Sequence, residues 1–102
     1  MKQSKKQNLD KYKEQARLHR VLSNESRLMI IDRLKEKECS AGELVQMVGS
    51  DQSTVSKHLA LLRSHGVVED RREGNQVFYR LLMPCIVNFI SCATQVIEER
   101  KG

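Results

Sequence analysis

The chain lacks the features that would place it in a membrane or outside the cell. None of its apolar runs approaches the roughly 20 residues that a membrane-spanning helix needs. The opening MKQSKKQN contains no apolar core of the kind found in signal peptides. We therefore expect a cytoplasmic protein with no membrane partner.

Disulfide pairs and repeats are also missing. Three cysteines are an odd count, which argues against a disulfide framework and leaves buried thiols, metal ligands or a redox switch as their roles. There is no internal repeat, and 102 residues are expected to form a single domain spanning 1–102, without an active-site cleft between domains. No cysteine or serine pairs credibly with a histidine and a third orienting group, so we do not expect an enzyme.

Positive charge is in excess. Lys and Arg total 18 against 13 Asp and Glu, giving a net charge of +5 and a pI near 9.3. This balance favours an anionic partner such as nucleic acid, although alone it does not separate DNA from RNA or a membrane surface.

The stretch from Asp51 to Gly66 has the pattern of a helix with a thin positive face. Val55, Leu59 and Leu62 recur at helical spacing and predict a buried stripe. The opposite side carries Ser53, Ser56, Lys57, Ala60 and Ser64. Asp51 is placed to cap the first turn, and Gly66 to end the helix in a left-handed conformation. Such a helix suits the major groove of DNA, although an ordinary amphipathic helix with a solvated face shows the same pattern.

A shorter helix is predicted just before it. The run Ser40-Ala41-Gly42-Glu43 matches a capping box, in which the serine and the glutamate satisfy each other's free backbone N–H groups. A helix from about Ala41 to Val48 should follow and end at Gly49-Ser50. Residues 41–66 then have the order of a helix-turn-helix.

A β-hairpin is predicted after Gly66. Val67–Arg72 and Gln76–Leu81 have the pattern of two strands, and Glu73-Gly74-Asn75 between them tolerate positive φ. Residues 67–81 are therefore expected to form a hairpin with a basic tip.

Amphipathic helices flank this region. Residues 1–8 are expected to be a flexible tail, and 9–22 a charged helix with a narrow apolar stripe. Ser23 or Asn24 should cap a second helix, whose core positions are Leu28, Ile31 and Leu34, backed by Ile30. Pro84 fits the first position of a last helix, 84–100, which has a broad apolar face. Pairing the first and last helices across a two-fold axis would bury apolar surface that a small core leaves exposed, so we expect a homodimer.

Three motifs resemble the ArsR/SmtB family of bacterial metal- and stress-responsive repressors. They are LSNESRL at 22–28, STVSKHLALLR at 53–63 followed by GVV at 66–68, and RREG at 71–74 leading to VFYRL at 77–81. The resemblance implies a winged helix-turn-helix, mainly α with a small β-hairpin wing, that dimerises through its first and last helices. It further implies a repressor that binds a palindromic double-stranded DNA operator without a cofactor and leaves it when an inducer binds elsewhere.

The same resemblance assigns DNA contacts position by position. Groove contacts would come from Gln52, Ser53, Thr54, Ser56 and Lys57. Wing contacts would come from Arg71, Arg72 and Asn75. His58 lies at the edge of the buried stripe, where a packed or locally hydrogen-bonded ring is favoured over base readout.

The sensing residues depart from the patterns of known members. The arsenic and cadmium sensors carry a cysteine box at the third helix, but here Cys39 falls one place early and Ser40 takes the ligand position. Cys39 can instead pack against Leu44 as a hydrophobic staple. The two cysteines of persulfide-sensing members align with Asp32 and Glu98.

Cys85 and Cys92 remain as candidates on the last helix. Seven residues separate them by about 10 Å along the axis, which is too far for one ion or a mutual disulfide, so a shared site needs another segment or subunit. Cys85 lies in the first turn, where the helix dipole favours a thiolate. Soft thiolates favour arsenite or another soft metal ion as inducer. Both residues also suit a plain role as small apolar residues at a helix interface.

Two alternatives stay open. A redox or reactive-sulfur switch of the same fold is one, because Cys85 can be oxidised or bridged to another thiol. A protein-interaction module that has lost DNA binding is the other, against which Lys57, Arg71 and Arg72 argue.

Overall fold

A computed structural model describes residues 5–101 of the chain. Within them the order of elements is that of a winged helix-turn-helix, as predicted. The helices are α1 (Lys5–Leu22), α2 (Glu25–Glu36), α3 (Ala41–Val48), α4 (Gln52–Ser64) and α5 (Pro84–Lys101). The strands are β1 (Cys39–Ser40), β2 (Val68–Glu73) and β3 (Gln76–Leu81).

The capping box at the start of α3 is formed as predicted. The backbone N–H of Glu43 donates to Ser40 Oγ at 3.1 Å, and that of Ser40 donates to Glu43 Oε1 at 3.0 Å. Gly49, with a φ of 79°, ends the helix in the left-handed region. Helix α3 is therefore defined at both ends by local sequence.

The end of α4 also follows its sequence. Gly66 has a φ of 73°. The N–H of Val67 donates to the carbonyl of Leu62, and that of Gly66 to the carbonyl of Arg63, both at 3.0 Å. This is the paired hydrogen bonding of a Schellman motif, which satisfies the last carbonyls of the helix.

The start of α4 differs from the prediction in one hydrogen bond. Asp51 occupies the N-cap position, but its side chain makes no cap hydrogen bond to the helix backbone. Instead Asp51 Oδ2 accepts from Ser53 Oγ at 2.7 Å. A hydroxyl two residues along competes locally with the backbone for the same carboxylate, which explains why the predicted cap bond is not made.

The three strands form one antiparallel sheet in the order β1-β3-β2. Glu73 pairs with Gln76, so the hairpin loop is only Gly74-Asn75, and Gly74 has a φ of 62°. The predicted three-residue connection was thus one residue too long, because Glu73 belongs to the strand. Strand β1 was not predicted, since two residues carry no periodic pattern. It joins the sheet by pairing Cys39 with Tyr79 and attaches the helix-turn-helix to the wing.

The core lies between α2, the helix-turn-helix and the base of the wing. Asn24 caps α2 by accepting from the backbone N–H of Arg27 at 3.1 Å. The most deeply buried side chains are Ile30, Ile31, Cys39, Leu44, Val55, Leu59, Leu62, Val67 and Val68. The predicted apolar stripe of α4 therefore packs into this core.

Helices α1 and α5 bury only their ends nearest the core. Val21 of α1 and Ile86 and Val87 of α5 are buried. Large apolar side chains beyond them stay open to solvent, among them Leu9 at 53%, Tyr12 at 61%, Phe89 at 61%, Val96 at 50% and Ile97 at 54% exposure. No helix in the described part of the chain is long and apolar enough to cross a membrane.

Two boundaries were placed differently by the sequence. Helix α1 begins at Lys5, so residues 5–8 of the expected tail are helical, while residues 1–4 lie outside the described range. Lysine and glutamine are good helix formers, and nothing before Leu9 breaks the helix. Helix α5 continues one residue past its predicted end, to Lys101.

Candidate nucleic-acid interface

The exposed face of α4 gathers the five residues predicted for groove contacts. Gln52, Ser53, Thr54, Ser56 and Lys57 are all exposed, while Val55 between them is fully buried. They occupy the first half of the helix, whose free N–H groups favour anions. The arrangement offers short donors and acceptors and one flexible cation to an approaching surface.

Asp51 binds side chains of the first turn of α4 instead of capping the helix backbone, the role that its sequence position had predicted. Hydrogen bonds from the side chains of Thr54 and Ser53 hold the pKa of its carboxyl below the usual range. The Ser53 hydroxyl proton is directed at Asp51, so its oxygen lone pairs are left for an incoming donor. Ser53 is therefore presented as an acceptor unless the bond to Asp51 breaks.

Strand alternation separates the two predicted arginines of the wing. Successive side chains of β2 point to opposite faces, so Asp70 and Arg72 share one face and Arg71 the other. Asp70 Oδ2 lies 2.9 Å from Arg63 Nη1, which identifies its face as the one turned toward α4. Arg72 therefore lies on the face of β2 that is turned toward α4, and Arg71 lies on the opposite face.

Arg71 is held by other residues of the protein. Its Nε and Nη2 donate to Glu38 Oε1 at 3.0 and 2.5 Å, Nη1 donates to Glu73, and the guanidinium carbon lies 5.0 Å from the centroid of the Phe78 ring. Hydrogen bonds to Glu73 and Glu38 raise the pKa of Arg71 further above its usual value. Two carboxylates thus neutralise a charge that the sequence assigned to DNA contact.

Arg72 is arranged differently. It is exposed, and within residues 5–101 no ion pair or side-chain hydrogen bond includes it. Asn75, at the tip of the hairpin, is exposed as well. The other wing arginine, Arg80, is paired with Glu69. Arg72 and Asn75 are therefore the predicted wing residues that the geometry leaves open to a partner.

The three cysteines occupy two kinds of surroundings. Cys39 is fully buried, its Sγ donates to the carbonyl of Lys37 at 3.5 Å, and burial raises the pKa of its thiol. Leu44, its expected staple partner, is equally buried. Cys85 and Cys92 are free thiols on the exposed surface of α5. A thiol kept neutral by burial is a poor nucleophile or metal ligand, so Cys39 is suited to packing.

Cys85 opens into a cleft that sequence reasoning did not identify. The cleft measures about 290 Å³ between α1 and α5, and its walls are almost entirely apolar. They are formed by Leu18, His19, Leu22, Cys85, Ile86 and Phe89. His19 lies edge-on to Phe89, with ring centroids 6.2 Å apart. In the part of the chain that the structure describes, no three His, Cys, Asp or Glu side chains come together as a metal site.

Comparison with known proteins shows which family the chain resembles. The sequence profile of the family described as "Bacterial regulatory protein, arsR family" matches residues 24–70. An HTH-type transcriptional regulator of Mycobacterium tuberculosis is 36% identical over 89 residues, covering 86% of this chain and 78% of that protein. The chain belongs to the arsR family. The matched region includes α2, the helix-turn-helix and the start of the wing.

Other arsR-type proteins agree in sequence and fold. The biofilm growth-associated repressor of Xylella fastidiosa is 48% identical over 68 residues, which are 67% of this chain but only 60% of that protein. A homodimeric winged helix-turn-helix DNA-binding domain from Mycobacterium bovis superposes with a TM-score of 0.81 at 28% identity, covering 98% of this chain and 93% of the other. These relatives are regulators, which agrees with the expectation that the chain is not an enzyme.

Proposed function

We propose that this arsR-family chain is a homodimeric transcriptional repressor that binds a palindromic DNA operator in the bacterial cytoplasm. The observation that carries the proposal is that α4 exposes a hydroxyl-rich face, while Arg72, on the face of β2 turned toward α4, makes no ion pair or side-chain hydrogen bond within residues 5–101. Residues early in a recognition helix reach base edges in the major groove, while arginines beside it hold the phosphate backbone.

The apolar surface left by α1 and α5 supports the dimer. Leu9 and Tyr12 of α1 and Phe89 and Val96 of α5 are at least half exposed in one subunit. Several large apolar side chains left exposed on two helices are typical of an interface. A two-fold axis through these helices would present two α4 helices to one side of a duplex, about one helical turn apart, which is why a palindromic operator is proposed.

DNA binding is tested by selection from a randomised duplex library with the full-length protein, followed by footprinting of the recovered sequences. We expect a two-fold symmetric consensus and protection on one face of the duplex. A reporter behind the selected site should be silenced by the wild-type gene. Failure to enrich any sequence would favour the protein-interaction module, and activation of the reporter would refute the repressor role.

We further propose that the inducer acts at Cys85. This thiol lies in the first turn of α5, faces the cleft against α1 and is exposed in the single subunit. Among the other residues that line the cleft, His19 is the side chain with a donor atom, so arsenite or another soft metal ion would still need donors from the second subunit.

A redox or reactive-sulfur signal remains the second candidate for the same thiol. Cys85 and Cys92 are both exposed and free, and an intersubunit disulfide or polysulfide bridge would need no third ligand. DNA release by arsenite and by a polysulfide, compared on the reduced protein, separates the two inducers. In both cases Cys39 stays a core residue.

A further inference from the structure

Arg27 joins three helices that the proposed function requires to keep a fixed geometry. It lies in the first turn of α2, where Asn24 holds its backbone N–H. Its Nε donates to the carbonyl of Val21 at 2.6 Å, in the last turn of α1. Its Nη1 lies 3.3 Å from Nδ1 of His58, in the middle of α4. One guanidinium therefore links a dimerisation helix to the recognition helix.

The contact with His58 depends on the protonation of the ring. A guanidinium only donates, so Nδ1 must accept and the ring must be neutral, with its proton on Nε2. A protonated ring has no acceptor and would place a second positive charge against Arg27. Burial, and then the charge of Arg27, lower the pKa of His58 below its ordinary value of 6.5.

Two carboxylates on the elements around α4 are engaged elsewhere. Among the elements packed against α4, Glu43 of α3 is held by Ser40, and Asp70 of β2 by Arg63. Arg27 of α2 is the charged group that acts on the ring. In the described part of the chain no carboxylate acts on the ring beside Arg27, so none offsets the charge of a protonated His58.

We propose that Arg27 and the neutral ring of His58 are positioning residues that fix α4 against α1 for DNA binding. The inference rests on the proposed function, because α1 is placed in the dimer interface and α4 in the groove. His58 directly follows Ser56 and Lys57, so a shift of α4 at this point moves the candidate contact residues. The two α4 helices of a dimer must enter successive major grooves, so DNA binding tolerates little change in the distance between them.

The pH dependence has a definite sign. Because His58 binds its proton less readily in the linked state, acid favours the state in which the link is broken. The link is complete above the ordinary histidine pKa and is lost as pH falls through the lowered value. Affinity for operator DNA should therefore decrease as pH drops below about 6.5.

The experiment measures binding of the full-length protein to the selected duplex and to a shuffled duplex, between about pH 5.5 and 8 at constant salt. The wild type should lose about fivefold or more in affinity for the selected duplex at the acid end. His58→Gln keeps an acceptor for Arg27 but cannot titrate, so it should bind well and lose most of this dependence. His65→Gln is the matched control, since within residues 5–101 the ring of His65 hydrogen-bonds only to Ser64 and Leu61 at the end of its own helix, and it should keep the wild-type profile.

Arg27 is tested separately. Arg27→Gln should weaken binding to the selected duplex more than to the shuffled one at neutral pH, and Arg27→Lys should recover part of the difference. The tautomer of His58, read from ring ¹⁵N shifts, should be Nε2–H in the wild type and should change in Arg27→Gln. A His58→Gln variant with the full wild-type pH profile would overturn the proposal even if the Arg27 variants fail to fold. If the library selection enriches no duplex at all, both the proposed function and this inference are refuted.

Discussion

The guanidinium of Arg71 reaches across the hairpin to Glu38, with Nη2 2.5 Å from Oε1. Glu38 lies just before β1, so this ion pair joins the wing to the segment between α2 and α3. Both side chains are partly exposed, at 52% and 34%, and an exposed pair contributes only about 0 to 1 kcal/mol. Its effect is therefore to orient the wing rather than to stabilise the fold.

This geometry predicts different salt dependence for the two neighbouring arginines. With Arg71 paired, Lys57 and Arg72 of two subunits neutralise about four phosphates, and the slope of log affinity against log salt should be near −3.6. Arg72→Gln should reduce the slope by about 2 for the dimer. Arg71→Gln should leave it nearly unchanged. Equal losses of slope in both variants, measured by fluorescence anisotropy, would show that Arg71 leaves Glu38 to contact DNA.

Ser56 and Lys57 should separate base readout from backbone contact. Lys57→Ala should weaken binding to selected and shuffled duplexes by similar factors, because a phosphate contact carries no sequence information. Ser56→Ala should cost about 1–3 kcal/mol on the selected duplex and little on the shuffled one. Competition binding with both duplexes measures the ratio. If Ser56→Ala loses the same affinity on both duplexes, Ser56 makes no contact that reads the base sequence.

Phe89→Lys tests the dimer. Phe89 is 61% exposed in one subunit, so a lysine there should leave the subunit fold intact. Within the proposed interface the same charge would be buried without a partner, costing several kcal/mol and producing monomers. Asn88→Lys, on an exposed position of the same helix away from its apolar face, is the matched control. Sedimentation equilibrium should show a dimer for the control, and a dimeric Phe89→Lys would refute the interface.

The cysteine variants test sensing. Cys85→Ser should bind DNA normally yet resist release by the inducer, with a smaller effect for Cys92→Ser. A tenfold release needs only about 1.4 kcal/mol of preference for the non-binding arrangement. Cys39→Ser should chiefly lower the free energy of unfolding, because it puts a hydroxyl at a fully buried position. Full release of Cys85→Ser by both arsenite and polysulfide would leave the inducer site elsewhere.

The elements were predictable because their signals are local. The capping box at Ser40, the left-handed Gly66 and the buried stripe of Val55, Leu59 and Leu62 involve residues within one or two helical turns. Their spacing alone indicated the helix-turn-helix and the hydroxyl-rich face of α4. The turn residues at 73–75 indicated the hairpin, and the apolar faces of the first and last helices indicated the dimer. The resemblance in residues 22–81 added the DNA contacts.

The partners of individual side chains were decided only by the tertiary structure. Arg71 and Arg72 are adjacent and chemically identical in sequence, yet Arg71 pairs with Glu38, 33 residues away. Arg72 lies on the side of α4 and has no ion-pair partner among residues 5–101. Arg27 and His58, 31 residues apart, likewise meet only because α2 packs against α4. Such pairings depend on strand register and helix packing, which place distant residues together, and no local pattern records them.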